Sequence, residues 1–166
     1  YSYSKSFSLA GERIGYIVVP GKVTEFGNIY AAIAGAARVL THVNAPSLFQ
    51  KVVARCAGKP SDISIYEKNR ELLYNGLVEA GITCVKPQGA FYLFPDVTAY
   101  FGKQYNGQTI NDADDVVTFL LQEAHVACVS GSAFGEDNCI RFSYATSEDL
   151  IIEAMRRMKE ALEKLV

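Results

Sequence analysis

The N-terminal segment contains a lysine, two serines and an arginine whose types and spacing could bind one ligand. The amine of Lys5 can condense with an aldehyde, which is a common use of lysine in enzymes. Ser2 and Ser4 place hydroxyls next to this amine, and Arg13 adds a planar guanidinium that suits two phosphate oxygens. Together these groups predict a ligand with both an aldehyde and a phosphate. Pyridoxal phosphate is such a ligand.

A plainer interpretation of each residue is also open. Lys5 could be a solvated surface lysine, and a serine-rich segment is more often a linker than a phosphate site. Arg13 could pair with its neighbour Glu12. Residue types and spacing alone do not choose between the two interpretations.

Arg141 is a second candidate, on a strand near the end of the chain. Apolar residues alternate along Ile140–Tyr144, so Arg141 and Ser143 are expected on the face opposite the core. Taken alone, this spacing favours a solvated strand arginine.

The whole N-terminal string resembles the lysine motif of the class I/II aminotransferases, which are fold type I pyridoxal phosphate enzymes. The family pattern has Ser-x-Ser-Lys, an aromatic residue two positions later, and then Gly-x-Arg-x-Gly-aromatic. These slots are filled by Ser2, Ser4, Lys5, Phe7, Gly11, Arg13, Gly15 and Tyr16. Three downstream stretches are similar to the family in the same order: Lys86–Tyr92, Gly131–Gly135 and Ile140–Ala145.

The resemblance implies roles for the candidate residues and a reaction. Lys5 would be the catalytic, cofactor-binding lysine, Ser2, Ser4 and Arg13 would hold the phosphate, and Arg141 would bind the substrate α-carboxylate. The implied activity is transfer of an amino group from an amino acid, with aspartate favoured, to a 2-oxo acid. The implied assembly is a homodimer. A lyase of the same fold and an inert structural piece remain as alternatives.

Composition excludes some other classes of function. The chain has 166 residues and a formal net charge of −2, so electrostatics give no case for nucleic acid or an anionic membrane. No uncharged run is long enough to span a bilayer. The four cysteines form no C-x-x-C pair, which predicts no metal site and favours buried free thiols in the cytoplasm.

The predicted elements must position these residues. Arg13–Val19 is expected as a buried strand, and helices are expected within Lys22–Leu40, from Pro46 to Ala57, and from Ser61 or Asp62 to Ala80. The later part predicts four strands and two helices, the last of them opened by a capping box at Thr146 and Asp149. The strands are Ile82–Lys86, Phe91–Asp96, Val126–Val129 and Ile140–Tyr144, and Asn111 or Asp112 caps the earlier helix.

The expected fold class is mixed α/β and α+β. The resemblance implies the C-terminal part of the pyridoxal phosphate-dependent transferase fold, with residues 1–60 ending the large domain and residues 61–166 forming the small domain. The family residues that bind the pyridine ring precede the lysine motif and have no counterpart here. We therefore expect a C-terminal fragment, inactive alone, with exposed strand edges around Tyr1–Pro20.

Overall fold

The computed structural model describes residues 1–166 throughout and shows two compact units, Tyr1–Asp62 and Ile63–Val166. The first unit contains a short helix and two longer ones. They are α1 at Tyr3–Ser6, α2 at Phe26–Val39 and α3 at Ser47–Cys56. The two longer helices confirm the predictions for this part of the chain. The assignment of residues 1–60 to a large cofactor-binding domain stays a prediction.

The predicted strand over Arg13–Val19 is wrong, because only its first part pairs with anything. Tyr1–Tyr3 runs antiparallel to Ile14–Tyr16, joined by a bridge between Ser2 and Gly15. Ile14 is buried, whereas Ile17 and Val18 are 72% and 70% exposed. No further strand lies beside this apolar run to bury it. This segment therefore exposes apolar side chains, whereas the exposed strand edges expected around Tyr1–Pro20 stay a prediction.

The second unit combines three longer helical segments with two small antiparallel sheets. Its helices are α4 at Ser64–Glu79, α5 at Ala113–Phe119 and α6 at Glu148–Leu162, and α5 continues as one π-helical turn at Leu120–Ala124. Its strands are β1 at Tyr92–Leu93, β2 at Gln104–Tyr105, β3 at Gln108–Thr109, β4 at Val129–Ser130 and β5 at Ile140–Ser143. Single 3₁₀ turns lie at Thr98–Tyr100 and Gly131–Phe134.

The larger sheet has the order β1-β5-β4, with β5 in the centre. Tyr92 pairs with Ser143 on one side of β5, and Val129 pairs with Arg141 on the other. β2 and β3 form a separate hairpin.

The predicted strand Ile82–Lys86 is wrong. Its backbone makes one bond to the next segment, from Asp96 N to Thr83 O at 3.0 Å, which does not build a ladder.

The core of the second unit lies between its helices and the larger sheet. Leu77 of α4 and Ile140 of β5 are fully buried, as is nearly all of Met158 of α6. One face of α6 joins this core, and its buried residues are Ile151, Met158, Ala161 and Leu162, followed by Leu165.

The helix caps agree with the sequence only in part. Asp112 caps α5 by accepting a hydrogen bond from Asp115 N at 2.9 Å, as predicted. The capping box at Thr146 is wrong, because α6 begins after Ser147 and has no side-chain cap. The cap at Ser61 or Asp62 is also wrong, because α4 begins one residue after Ile63.

The four cysteines are free and half-buried rather than fully buried. No helix combines the length and the apolar character needed to cross a membrane. No group of three or more histidine, cysteine or acidic side chains could hold a metal ion.

Candidate active site

The lysine segment is folded by its own serines. The Ser2 hydroxyl caps α1 by accepting a hydrogen bond from Ser4 N at 3.2 Å, and it donates to the Ser4 hydroxyl oxygen at 2.9 Å. This N-cap role is one that serine fills well. The two hydroxyls therefore lie side by side at the start of α1. Lys5 follows in the same short helix, with its side chain exposed.

A backbone pairing fixes where this segment meets the arginine. Tyr3 N donates to Ile14 O at 3.1 Å, and Tyr16 N donates to Tyr1 O at 2.8 Å. A Cβ atom on Gly15 would lie 2.6 Å from Tyr1 O, a separation that real side chains do not adopt. Glycine is thus required at this crossing. The crossing brings Arg13, two residues before Gly15, beside the serine segment.

Arg13 lies in a tight turn with a positive φ of 51°. Its Nη1 atom donates to Ala10 O at 2.7 Å, which anchors the side chain to its own turn. It makes no ion pair with Glu12, so that alternative from the sequence is wrong. The guanidinium is exposed, and its other nitrogens remain available to a ligand.

These residues fit a ligand with an aldehyde and a phosphate. An amine, two adjacent hydroxyls and a guanidinium all belong to one locally closed segment, in which Ser2, Lys5 and Arg13 are exposed and Ser4 is partly buried. Hydroxyls and a guanidinium are donors that phosphate oxygens accept. The close approach of the backbone at Gly15, where a side chain would clash with Tyr1 O, fixes the crossing that holds these groups in one segment. The donor set therefore matches the chemistry of pyridoxal phosphate.

Arg141 lies on the central strand β5, as the alternation predicted. Ile140 and Phe142 are buried, while Arg141 and Ser143 face away from the core. The Arg141 Cζ atom lies 4.4 Å from the centre of the Tyr92 ring and 4.1 Å from the centre of the Phe134 ring. Arg141 makes no salt bridge within the chain. The observed neighbours of this arginine are therefore two aromatic rings.

Sequence reasoning did not assign a role to Tyr92 or Phe134. Both lie in stretches quoted for the family resemblance, but neither lies near Arg141 in the sequence. The strand register brings Tyr92 close to Arg141, because Tyr92 pairs with Ser143, which shares a face with Arg141. In the sequence, the only feature that could have indicated a role for these two residues is the presence of an aromatic residue in each stretch.

The loop before β5 has a fixed shape. Gly131 N donates to Cys139 O at 2.7 Å, and a Cβ atom on Gly131 would lie 2.5 Å from that oxygen. Gly135 closes the turn with a φ of 79°. The loop therefore holds Phe134 on the side of β4 and β5 where Arg141 lies.

Cys128 lies just before β4 and is not a reactive thiol. Burial raises the pKa of Cys128 to about 12, so its thiol stays protonated at neutral pH. The structure gives this residue a packing role.

Comparison with known proteins decides the family. The model for "Aminotransferase class I and II" matches residues 1–158. The chain belongs to this family. The lysine segment and the Arg141 strand both lie within the matched residues, which accords with the resemblance read from the sequence.

Individual aminotransferases are also similar to this chain over nearly its whole length. The aspartate aminotransferase of Bacillus subtilis (strain 168) is 38% identical over 97% of this chain and 40% of its own length. A solved aminotransferase structure from Eubacterium rectale is 40% identical, with a TM-score of 0.82, over 99% of this chain and 38% of that one. The aspartate aminotransferase of Rhizobium meliloti is 34% identical, also with a TM-score of 0.82, over 98% of this chain and 41% of that one.

The chain thus has the mixed helix-and-sheet fold of part of an aminotransferase. It spans about 40% of the length of the curated relatives it matches.

Proposed function

We propose that this chain carries the lysine and carboxylate-binding parts of a pyridoxal phosphate-dependent aminotransferase active site. The observation that carries the proposal is the Ser2–Gly15 pairing. It joins a lysine, two hydroxyls and a guanidinium in one local structure, in a chain that belongs to an aminotransferase family.

Each residue has a separate role in this proposal. Ser2, Ser4 and Arg13 hold the cofactor phosphate, because they supply hydrogen-bond donors and one fixed positive charge. Lys5 holds the cofactor by its amine. When the substrate amine replaces it, the freed Lys5 amine moves the proton at the substrate Cα as general base and acid.

The cofactor, when bound, supplies a ring that accepts electrons from the bond broken at Cα. Arg141 binds the substrate α-carboxylate with two parallel N–H donors and so orients the amino acid. Its position on a central strand keeps this group on a rigid element. The substrates are an amino acid and a 2-oxo acid, and aspartate is favoured because the relatives are named aspartate aminotransferases. The working assembly is a homodimer in the cytoplasm.

Reduction of the lysine adduct tests the proposal directly. The 166-residue chain is mixed with pyridoxal phosphate, treated with borohydride and digested, and the modified lysines are located by mass spectrometry. We expect modification mainly at Lys5, and loss of this adduct in Lys5→Ala. Lys22→Ala is the matched control, because Lys22 is an exposed lysine in the same unit outside the motif.

A spread of adducts over many surface lysines, without enrichment at Lys5, would contradict the proposal. The lyase alternative predicts a different product. An aminotransferase yields a 2-oxo acid and an aminated acceptor, whereas a lyase releases an eliminated group from the amino acid.

A further inference from the structure

The guanidinium of Arg141 is enclosed by two aromatic side chains from different elements. Its Cζ atom lies 4.4 Å from the ring centre of Tyr92 in β1 and 4.1 Å from that of Phe134 in the 3₁₀ turn. Both distances lie well inside the range of about 6 Å in which a cation is attracted to a ring face. We call these two rings the aromatic clamp.

Backbone structure places both rings of the aromatic clamp. The pairing of Tyr92 with Ser143 makes Tyr92 a diagonal neighbour of Arg141 on the same sheet face. On the other side, the bond from Gly131 N to Cys139 O holds the start of the turn that ends at Phe134.

Each ring is also supported by a further aromatic side chain. Tyr92 contacts Phe91 with ring centres 4.4 Å apart, and Phe134 contacts Phe94 edge to face at 6.1 Å. These contacts limit the positions that the two rings can adopt. The aromatic clamp is therefore part of a larger set of ring contacts around Arg141.

An arginine held in this way keeps its donors available. The two ring contacts are made at the guanidinium carbon and use none of its five N–H donors as hydrogen bonds. Arg141 has no carboxylate partner in the chain that would compete for these donors. Long arginine side chains lose much rotamer freedom on binding, so a preset orientation lowers that loss.

We propose that Tyr92 and Phe134 are positioning residues that hold Arg141 ready for a carboxylate ligand. This inference rests on the proposed function of Arg141 and extends it to two residues with no assigned role. The aromatic clamp sets the orientation of the guanidinium before the ligand arrives, and the ligand contacts the arginine edge rather than the rings.

Nuclear magnetic resonance of the 166-residue chain tests the proposal in two steps. The Arg141 Nε–Hε signal, assigned by its loss in Arg141→Lys, should be shifted upfield by the ring currents. Phe134→Leu should remove much of this shift, and Phe134→Tyr should retain it. Phe134 is 49% exposed, so its replacement is not expected to unfold the chain.

The second step measures binding of succinate, an unreactive carboxylate, to the same variants. We expect the dissociation constant to rise about threefold to tenfold in Phe134→Leu and in Tyr92→Leu, with recovery in Phe134→Tyr and Tyr92→Phe. Tyr74→Leu is the matched control, because the Tyr74 ring lies under a different cation, Lys86, at 5.4 Å. It should leave succinate binding unchanged.

The outcomes separate this inference from the proposed function. Equal succinate binding in Phe134→Leu and the original chain, with the ring-current shift lost, would overturn the positioning role alone. Succinate binding that is absent, or unchanged in Arg141→Lys, would overturn the carboxylate site itself and the aromatic clamp's role with it.

Discussion

The two units of the chain differ in how their candidate site residues are supported. In Ile63–Val166, Arg141 lies on the central strand of a sheet whose other face contributes to a continuous apolar core. In Tyr1–Asp62, the only buried apolar side chains are Ile14 and Val53, and α2 buries none of its residues. Lys5 and its neighbours are instead held by local hydrogen bonds, one backbone crossing and a hydrogen bond that the Ser61 hydroxyl donates to Ser6 O.

This contrast shows that the local shape of the lysine segment does not depend on the packed core that stabilises the second unit. Helices with little tertiary packing are marginal in water, because most helical stability in proteins comes from a buried face. A serine cap and a glycine crossing can still give the lysine segment a defined shape. We therefore expect the Lys5 segment and the Arg141 strand to respond very differently to perturbation.

Amide hydrogen exchange should show the largest difference between the units. The backbone N–H of Ile140 bonds to Pro95 O at 3.1 Å within the core region, whereas the α2 amides belong to a helix without buried side chains. We expect Ile140 to exchange at least about a thousandfold more slowly than the α2 amides, relative to unstructured peptides. Similar protection in both places would contradict the comparison.

A matched pair of leucine replacements should give the next largest effect. Leu77 in α4 is fully buried, whereas Leu48 in α3 is 66% exposed. Leu77→Ala should reduce the free energy of unfolding of the second unit by about 2–5 kcal/mol, because it removes packed methyl groups and leaves a cavity. Leu48→Ala should change the free energy of unfolding of the first unit, in which Leu48 lies, by less than about 0.5 kcal/mol. Urea denaturation followed by circular dichroism measures both, and equal losses would contradict the assignment of the core.

Alkaline pH should have a smaller effect, confined to the second unit. Burial raises the pKa of Cys128 from its ordinary value of 9.0 to about 12. Between these values the unfolded chain releases the thiol proton while the folded chain retains it. The unfolded state then binds fewer protons, so stability is fully present below pH 9 and falls as the pH rises toward 12.

Urea midpoints at pH 8.5 and 10.5 measure this loss, which should be about 1–2 kcal/mol. Burial also raises the pKa of Tyr100 and Tyr144. It raises the pKa of the Cys84 and Cys139 thiols as well. Cys128→Ala separates the contributions, because it should reduce the pH dependence while leaving the part that comes from these thiols and the tyrosines. An unchanged slope in this variant would mean that the thiol does not contribute.

The sequence predicted the elements that depend on local patterns. The helices α2 and α3, the cap at Asp112 and the outward face of Arg141 follow from periodicity and residue chemistry that a short window contains. The candidate site residues were identified in the same way, from a motif in which spacing and residue type agree.

The wrong strand predictions concern pairing between distant parts of the chain. Arg13–Val19 has the composition of a buried strand, but burial needs neighbouring strands that composition does not reveal. Ile82–Lys86 fails for the same reason. Tyr92 and Phe134 reach Arg141 only through the register of β1 with β5 and the shape of the preceding turn. The spacing of residues in a motif predicts neither the strand register nor the shape of this turn.

The most direct test of the account is the effect of Gly15→Ala on the lysine adduct. The central claim is that the backbone crossing at Gly15, rather than the reactivity of an exposed lysine, makes the Lys5 site. Gly11→Ala is the control, because a Cβ atom there would meet nothing within 4 Å. We predict that pyridoxal phosphate and borohydride modify Lys5 far less in Gly15→Ala than in the original chain, and equally in Gly11→Ala. Equal modification of Lys5 in all three chains would contradict the claim.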